Sequence, residues 1–174
     1  MELVYYPNEF LSKKVAEVDI DNLNFDPVEL KNEMVEFMLT NNGIGLSANQ
    51  IGLDAQLFVM GDGKDNNSIL INPTVLQHTE EIVIDIEGCL SFPNVFAQVK
   101  RPKEILVEYY DENLEKKRTH LKEYSVKVFL HEYDHLQGIT FKDRVSPLVW
   151  KIAKKKAYKM NKNLHGNGFC ECCE

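Results

Sequence analysis

The chain has 174 residues and a formal net charge of −7, with 44% apolar and 27% charged residues. That is enough apolar side chain for one packed core, and it argues against global disorder. No apolar run approaches the ~20 residues that cross a bilayer, so no membrane association is expected.

The first residues, Met1-Glu2-Leu3-Val4-Tyr5-Tyr6-Pro7, lack the basic start and apolar centre of a secretory signal. They are also acidic early, unlike a transit peptide, and the expectation is a cytoplasmic protein. Tyr6-Pro7-Asn8-Glu9 reads as an extended entry into a turn. Asp26 is placed to cap a helix, with Pro27 at its first position and Glu29 able to complete a capping box. Leu30, Met34, Phe37 and Met38 recur at helical spacing, so this helix turns one face to a core and ends near Asn41-Asn42-Gly43. The next stretch, Gly43-Ile44-Gly45-Leu46-Ser47-Ala48-Asn49-Gln50, is glycine-rich with small side chains that permit close backbone approach. It lacks the Lys-Ser/Thr ending of a phosphate loop, and a tight turn is the simpler reading on these residues alone.

Strands are expected at 56–60, 68–73, 80–86, 104–110 and 116–121, from β-branched and aromatic enrichment between turn residues. Residues 61–67 read as a loop, and Asp111-Glu112-Asn113 as a hairpin turn. Glu87-Gly88-Cys89-Leu90-Ser91 follows one of these strands and places Cys89 in a turn. Cys89 stands apart from Cys170, Cys172 and Cys173, which crowd the C-terminus. A lone cysteine is ordinarily a small buried hydrophobe.

Its meaning changes beside His131-Glu132-Tyr133-Asp134-His135. On a helix, His131 and His135 lie one turn apart on one face and can chelate a divalent metal. Glu132 is then placed to exchange protons with water, and Cys89 is the best source of a third ligand. Tyr124, Val128, His131 and His135 form one stripe of this helix, which Gly138 should end. The bland alternative is an ordinary helix with two histidines. With no βαβ rhythm, the expected fold is α+β, with mostly antiparallel sheets around this central helix.

Ser146-Pro147 starts a C-terminal helix with an apolar stripe of Val149, Ile152, Ala153, Ala157 and Met160. Lys151, Lys154, Lys155, Lys156, Lys159 and Lys162 occupy other faces, and residues 147–164 contain no acid. Such a surface is either a solvated face or a contact for an acidic partner. Residues 1–164 read as a single catalytic domain and 165–174 as a flexible Cys-containing tail.

The stretches Gly43–Gln50, Glu87–Ser91 and His131–His135, with Tyr6-Pro7, Ile71-Asn72-Pro73 and Ser146-Pro147-Leu148, together resemble the peptide deformylase family. The resemblance runs from about residue 3 to about residue 162. It implies an enzyme that removes the formyl group from the N-terminal methionine of nascent polypeptides. It further implies Cys89, His131 and His135 as metal ligands, Glu132 as proton carrier, and the Gln50 side chain with the Leu90 N–H as oxyanion donors. Gly45 would bind substrate backbone, Ile44 and Val128 would line a methionine pocket, and Glu87 and Arg101 would brace the Cys89 turn. The implied metal is Fe²⁺ in the cell, with Zn²⁺, Ni²⁺ or Co²⁺ able to occupy a purified sample.

Ser47, Leu130, Phe96 and Lys127 depart from the usual pattern without removing a catalytic group; they bear on peptide preference beyond the first residue. The implied partners are N-formylmethionyl nascent peptides and, through the Lys-rich helix, the ribosome. A monomer without specific DNA binding is expected. The alternatives are a zinc metallopeptidase and an inactive metal-binding, ribosome-associated module.

Overall fold

A computed structural model describes residues 1–64 and 66–165, with side chains to Lys162; of the expected tail, 165–174, His165 is the last residue of the C-terminal helix and the rest lies outside the described residues. The first helix, α1 (Pro27–Thr40), starts where its cap demands. Asp26 accepts hydrogen bonds from the N–H groups of Val28 (2.8 Å) and Glu29 (3.1 Å). The strands are β1 (Gly45–Ser47), β2 (Leu57–Met60), β3 (Ser68–His78), β4 (Ile82–Cys89), β5 (Phe92–Pro102), β6 (Glu104–Tyr110) and β7 (Lys116–Lys122). Two further helices are α2 (Tyr124–Leu136) and α3 (Pro147–His165). The fold is α+β with antiparallel sheets, as the sequence implies: one sheet runs β1-β2-β3-β6-β7, and β4 pairs with β5 in a separate ribbon.

The larger sheet is covered on both faces. Leu57, Val59, Ile69 and Ile71 pack on Met34 and Met38 of α1. The alternate residues Phe58 and Leu70, with Ile105 and Val107, pack on Val126, Phe129 and Leu136 of α2. Side chains alternate along a strand, so two buried faces require an unbroken apolar run, which is what 57–60 and 69–71 contain. Phe58 meets Phe129 edge to face with centroids 5.3 Å apart. The helix bearing the histidines is thereby anchored in the core.

Gly138 ends α2 at φ +71°, and a Cβ there would lie 2.7 Å from the carbonyl oxygen of Ser12. Only glycine satisfies both the left-handed turn and that approach.

The structure departs from the sequence expectations in four places. β3 continues past Pro73 to His78, because register shifts between Ile71 and Thr74 accommodate the proline. Within that irregularity Asn72 has φ +49°, and its side chain bonds both the N–H (2.9 Å) and the carbonyl (2.8 Å) of Val18. β4 reaches Cys89, so this cysteine ends a strand and Leu90-Ser91 make the turn. β5 is an additional strand whose inward positions, Val95, Ala97, Val99 and Arg101, include a charge, which masks the apolar alternation.

Finally, α3 is rotated from its expected stripe. Ala153 and Ala157 do face the core, with Trp150 packed against it, and Asn161 is buried too. Val149, Ile152 and Met160 are exposed. Alanines let the helix lie close to β5, and the larger side chains fall outside that contact. Among the described residues, no helix is long and apolar enough to cross a membrane.

Candidate metal centre and active site

Packed between the sheet and the ribbon, α2 buries polar groups along with its apolar ones: His131, Glu132, Asp134 and His135 are all nearly inaccessible. Buried polar groups need partners, and those of α2 come mainly from the ribbon. His131 Nδ1 lies 2.9 Å from Glu87 Oε2. Donation from Nδ1 leaves Nε2 free as a ligand atom.

Arg101 reaches Glu87 from the neighbouring strand through Nε (2.8 Å) and Nη2 (3.0 Å), and Asp134 through Nη1 (2.7 Å). Arg144 shares Asp134 Oδ2 with Arg101, its Nε 2.9 Å away, and its Nη2 reaches the other oxygen, Oδ1. Glu87 and Arg101 thus form the expected pair, but deep inside a longer chain of charges. Burial acts to raise the pKa of Glu87, yet the hydrogen bonds from His131 and Arg101 override it and hold that carboxyl down at about 2.

The three expected ligand residues converge. The donor atoms of Cys89, His131 and His135 lie within 4.8 Å of one another, and Cys89 Sγ is 3.2 Å from His135 Nε2. Burial lowers the pKa of His135 well below the ordinary imidazole range, which keeps it neutral as a ligand must be. For His131, burial works in the same direction, but Cys89 and Glu87 override it and raise its pKa. One cysteine sulfur and two imidazoles converging at this separation form a donor set that fits a divalent transition metal.

Beside these donors opens a cleft of about 680 Å³. Its lining includes Ile44, Gly45, Gln50, Cys89, Leu90, Val128, His131 and Glu132, while His135 lies fully buried beneath. Tyr124, expected on the same stripe, stands at the rim with its side chain exposed. Burial pushes the pKa of Glu132 up to about 7, and its Oε2 has no hydrogen-bond partner among the described residues. Gly45 explains how β1 comes so near: a Cβ there would lie 2.4 Å from Glu132 Oε1.

Gln50 is held at both ends. Its Oε1 accepts from the Ser47 N–H (3.0 Å) and hydroxyl (2.9 Å); its Nε2 lies 3.1 Å from Ser91 Oγ and 3.3 Å from Cys89 Sγ.

The chain is similar in sequence and fold to known proteins. The family model for polypeptide deformylase matches residues 1–150. The chain belongs to the polypeptide deformylase family. A peptide deformylase of Pseudothermotoga lettingae is 41% identical over 138 residues, covering 79% of this chain and 80% of that relative. Peptide deformylase 1B of Arabidopsis thaliana, chloroplastic/mitochondrial, is 34% identical over 93% of this chain, which spans 60% of the longer plant protein. A crystal structure of a peptide deformylase from Legionella pneumophila superposes with a TM-score of 0.84 at 27% identity, covering 96% of this chain and 98% of that one. As a member of this family the chain is a hydrolase that removes the formyl group from nascent peptides.

Several residues that shape this deformylase site, some of them inside the family-like stretches, have contacts that the sequence does not disclose. Asn49 Nδ2 donates to the carbonyl of His135 (2.7 Å), tying the glycine-rich stretch to α2. Ser91 and Asp134 act through partners 41 and 33 residues away along the chain, and Arg144 acts through Asp134, 10 residues before it. For Asp134 a hint exists: an acid inside a helix that must be buried needs a basic partner.

Proposed function

We propose that the deformylase chemistry is carried by Cys89, His131 and His135 as ligands and by Glu132, Gln50 and Leu90 around the reacting formyl group. The supporting observation is that three soft-to-borderline donors converge beside a buried carboxylate and a fixed carboxamide in one cleft. A divalent ion held there would supply Lewis acidity and make water acidic enough to attack near neutral pH. Glu132 takes the proton of the attacking water and returns it to the departing amine. Its unpartnered Oε2 is free for that transfer, and burial sets its proton affinity near neutrality.

The Gln50 Nε2 and the Leu90 N–H stabilise charge developing on the formyl oxygen. Gly45 binds the substrate backbone, and Ile44 and Val128 wall the pocket for the methionine side chain. Fe²⁺ is the proposed metal in the cell, with Zn²⁺, Ni²⁺ or Co²⁺ accepted after purification, because this donor set suits all four. Residues 1–164 act as one catalytic domain, monomeric, in the cytoplasm, with no specific DNA among its partners. The test is formate release under anaerobic conditions: formyl-Met-Ala should be cleaved, and acetyl-Met-Ala and an unblocked peptide should not. Cleavage of the unblocked peptide would favour a metallopeptidase.

Ribosome contact is proposed for α3, whose Lys151, Lys155, Lys156, Lys159 and Lys162 are exposed beside Val149, Ile152 and Met160. Charge reversal at Lys155, Lys156 and Lys159 should lower cosedimentation with ribosomes in a salt-dependent way and spare activity on short peptides. Unchanged cosedimentation refutes this contact.

A further inference from the structure

We propose that Ser47 is a positioning residue for this reaction: its hydroxyl, with its own backbone N–H, sets which way round the Gln50 carboxamide lies. This rests on the reading of Gln50 as a donor to the substrate. A primary carboxamide has nearly the same shape in its two orientations, so its neighbours alone decide which end points where.

Here the decision is made at both ends. The oxygen faces two donors, the Ser47 N–H at 3.0 Å and the Ser47 hydroxyl at 2.9 Å. The nitrogen faces two acceptors, Ser91 Oγ at 3.1 Å and Cys89 Sγ at 3.3 Å. Turning the amide over would set its NH₂ against the Ser47 N–H, which can only donate, and would take its N–H away from the sulfur; the Ser91 hydroxyl, donor or acceptor, would follow either orientation. Ser91 occupies one N–H of Gln50, which leaves the other directed at the sulfur side of the cleft. Ser47, Gln50 and Ser91 are all essentially inaccessible, so water does not compete for these bonds.

The hydroxyl carries one proton, and other acceptors are near it. Asn49 Oδ1 lies 3.0 Å away, and Ser47 also hydrogen-bonds Glu132. Asn49 is already held through Nδ2 on the His135 carbonyl. Gln50 Oε1, at 2.9 Å, is nearer to the hydroxyl than Asn49 Oδ1 and is the one that also receives a second donor from the same residue. Two donors converging on one carbonyl fix its direction and hence the plane of the amide; the N–H alone leaves the plane free to swing.

The test uses Zn²⁺-loaded protein with ¹⁵N-labelled glutamine side chains, the Gln50 resonances being assigned by their loss in Gln50→Ala. The Ser47→Ala variant should shift or broaden the Gln50 NH₂ pair and speed its hydrogen exchange. It should keep the parent metal content and lower kcat on formyl-Met-Ala roughly 3- to 10-fold with KM little changed, the range expected for one neutral hydrogen bond. In a Gln50→Ala background the same change should cost nothing further.

Gln50 resonances and exchange unchanged by Ser47→Ala would overturn the proposal. So would a full Ser47→Ala loss persisting without Gln50, since the hydroxyl would then serve Asn49 or Glu132. If Gln50→Ala keeps the parent kcat, the oxyanion reading fails instead, and the Gln50 resonances alone decide whether Ser47 orients the amide.

Discussion

Replacing Glu132 by Gln should make the metal-stripped protein more stable while it abolishes most catalysis. Glu132 is 4% exposed, and burial moves its carboxyl pKa from an ordinary 4.5 to about 7. Below about pH 4.5 the group is protonated in both folded and unfolded chains, and it costs nothing. Between about 4.5 and about 7 the unfolded chain releases the proton that the folded chain keeps, so folding stability falls as pH rises. Above about 7 the penalty is complete, and at ~1.4 kcal/mol per pH unit the interval amounts to about 3 kcal/mol.

Glutamine never ionises and escapes this cost. Urea denaturation with a chelator present should therefore show Glu132→Gln and parent nearly equal at pH 4.5. At pH 8.5 the variant should be ahead by up to about 3 kcal/mol. With metal restored, the variant should bind as much metal as the parent but lose ~10²–10⁴ in kcat, since one group serves both proton transfers. No gain in stability at pH 8.5 over pH 4.5 would refute the burial argument. A variant retaining more than about a tenth of the rate would refute the base assignment, by the same magnitudes. Loss of metal would make Glu132 a ligand.

Cys89→Ala should lose metal and activity together, measured by metal analysis and formate release, because two histidines alone make a weak site. Arg101→Met leaves Glu87 and Asp134 buried with less compensation; a loss of about 3–5 kcal/mol is expected from denaturation, and a loss below ~1 would show that Arg144 and His131 suffice. Gly45→Ala forces a methyl group to within 2.4 Å of Glu132 Oε1. It should lower kcat with the fold retained by circular dichroism, and a parental rate would mean that β1 yields without moving the carboxylate.

Signals that were legible in the sequence depend on neighbours along the chain. Asp26-Pro27 starts α1 because a cap and a first-turn proline act within four residues, and Gly138 stops α2 for a similarly local reason. The histidines four apart, Cys89 after a strand, and the glycine-rich stretch identified the family and named the residues lining the cleft. The apolar runs of β2 and β3 marked strands, and the burial of both their faces came into view only with α1 and α2 packed on them.

Tertiary structure alone decided the rest. The resemblance pairs Arg101 with Glu87, 14 residues earlier, but only the fold puts that pair inside, at a core position of β5 where Asp134, 33 residues later, meets it too. A charge that looks like a surface residue in sequence becomes an interior one only when its partners arrive. The face that α3 buries was set by how closely alanines approach β5, not by where its largest apolar side chains lie. Gln50 is held by Ser91, 41 residues away, as well as by Ser47 close by. Residue types and local spacing determine which chemistry is available. Pairing across long stretches of chain determines which atoms face one another, because burial makes each polar group depend on the partner that folding brings to it.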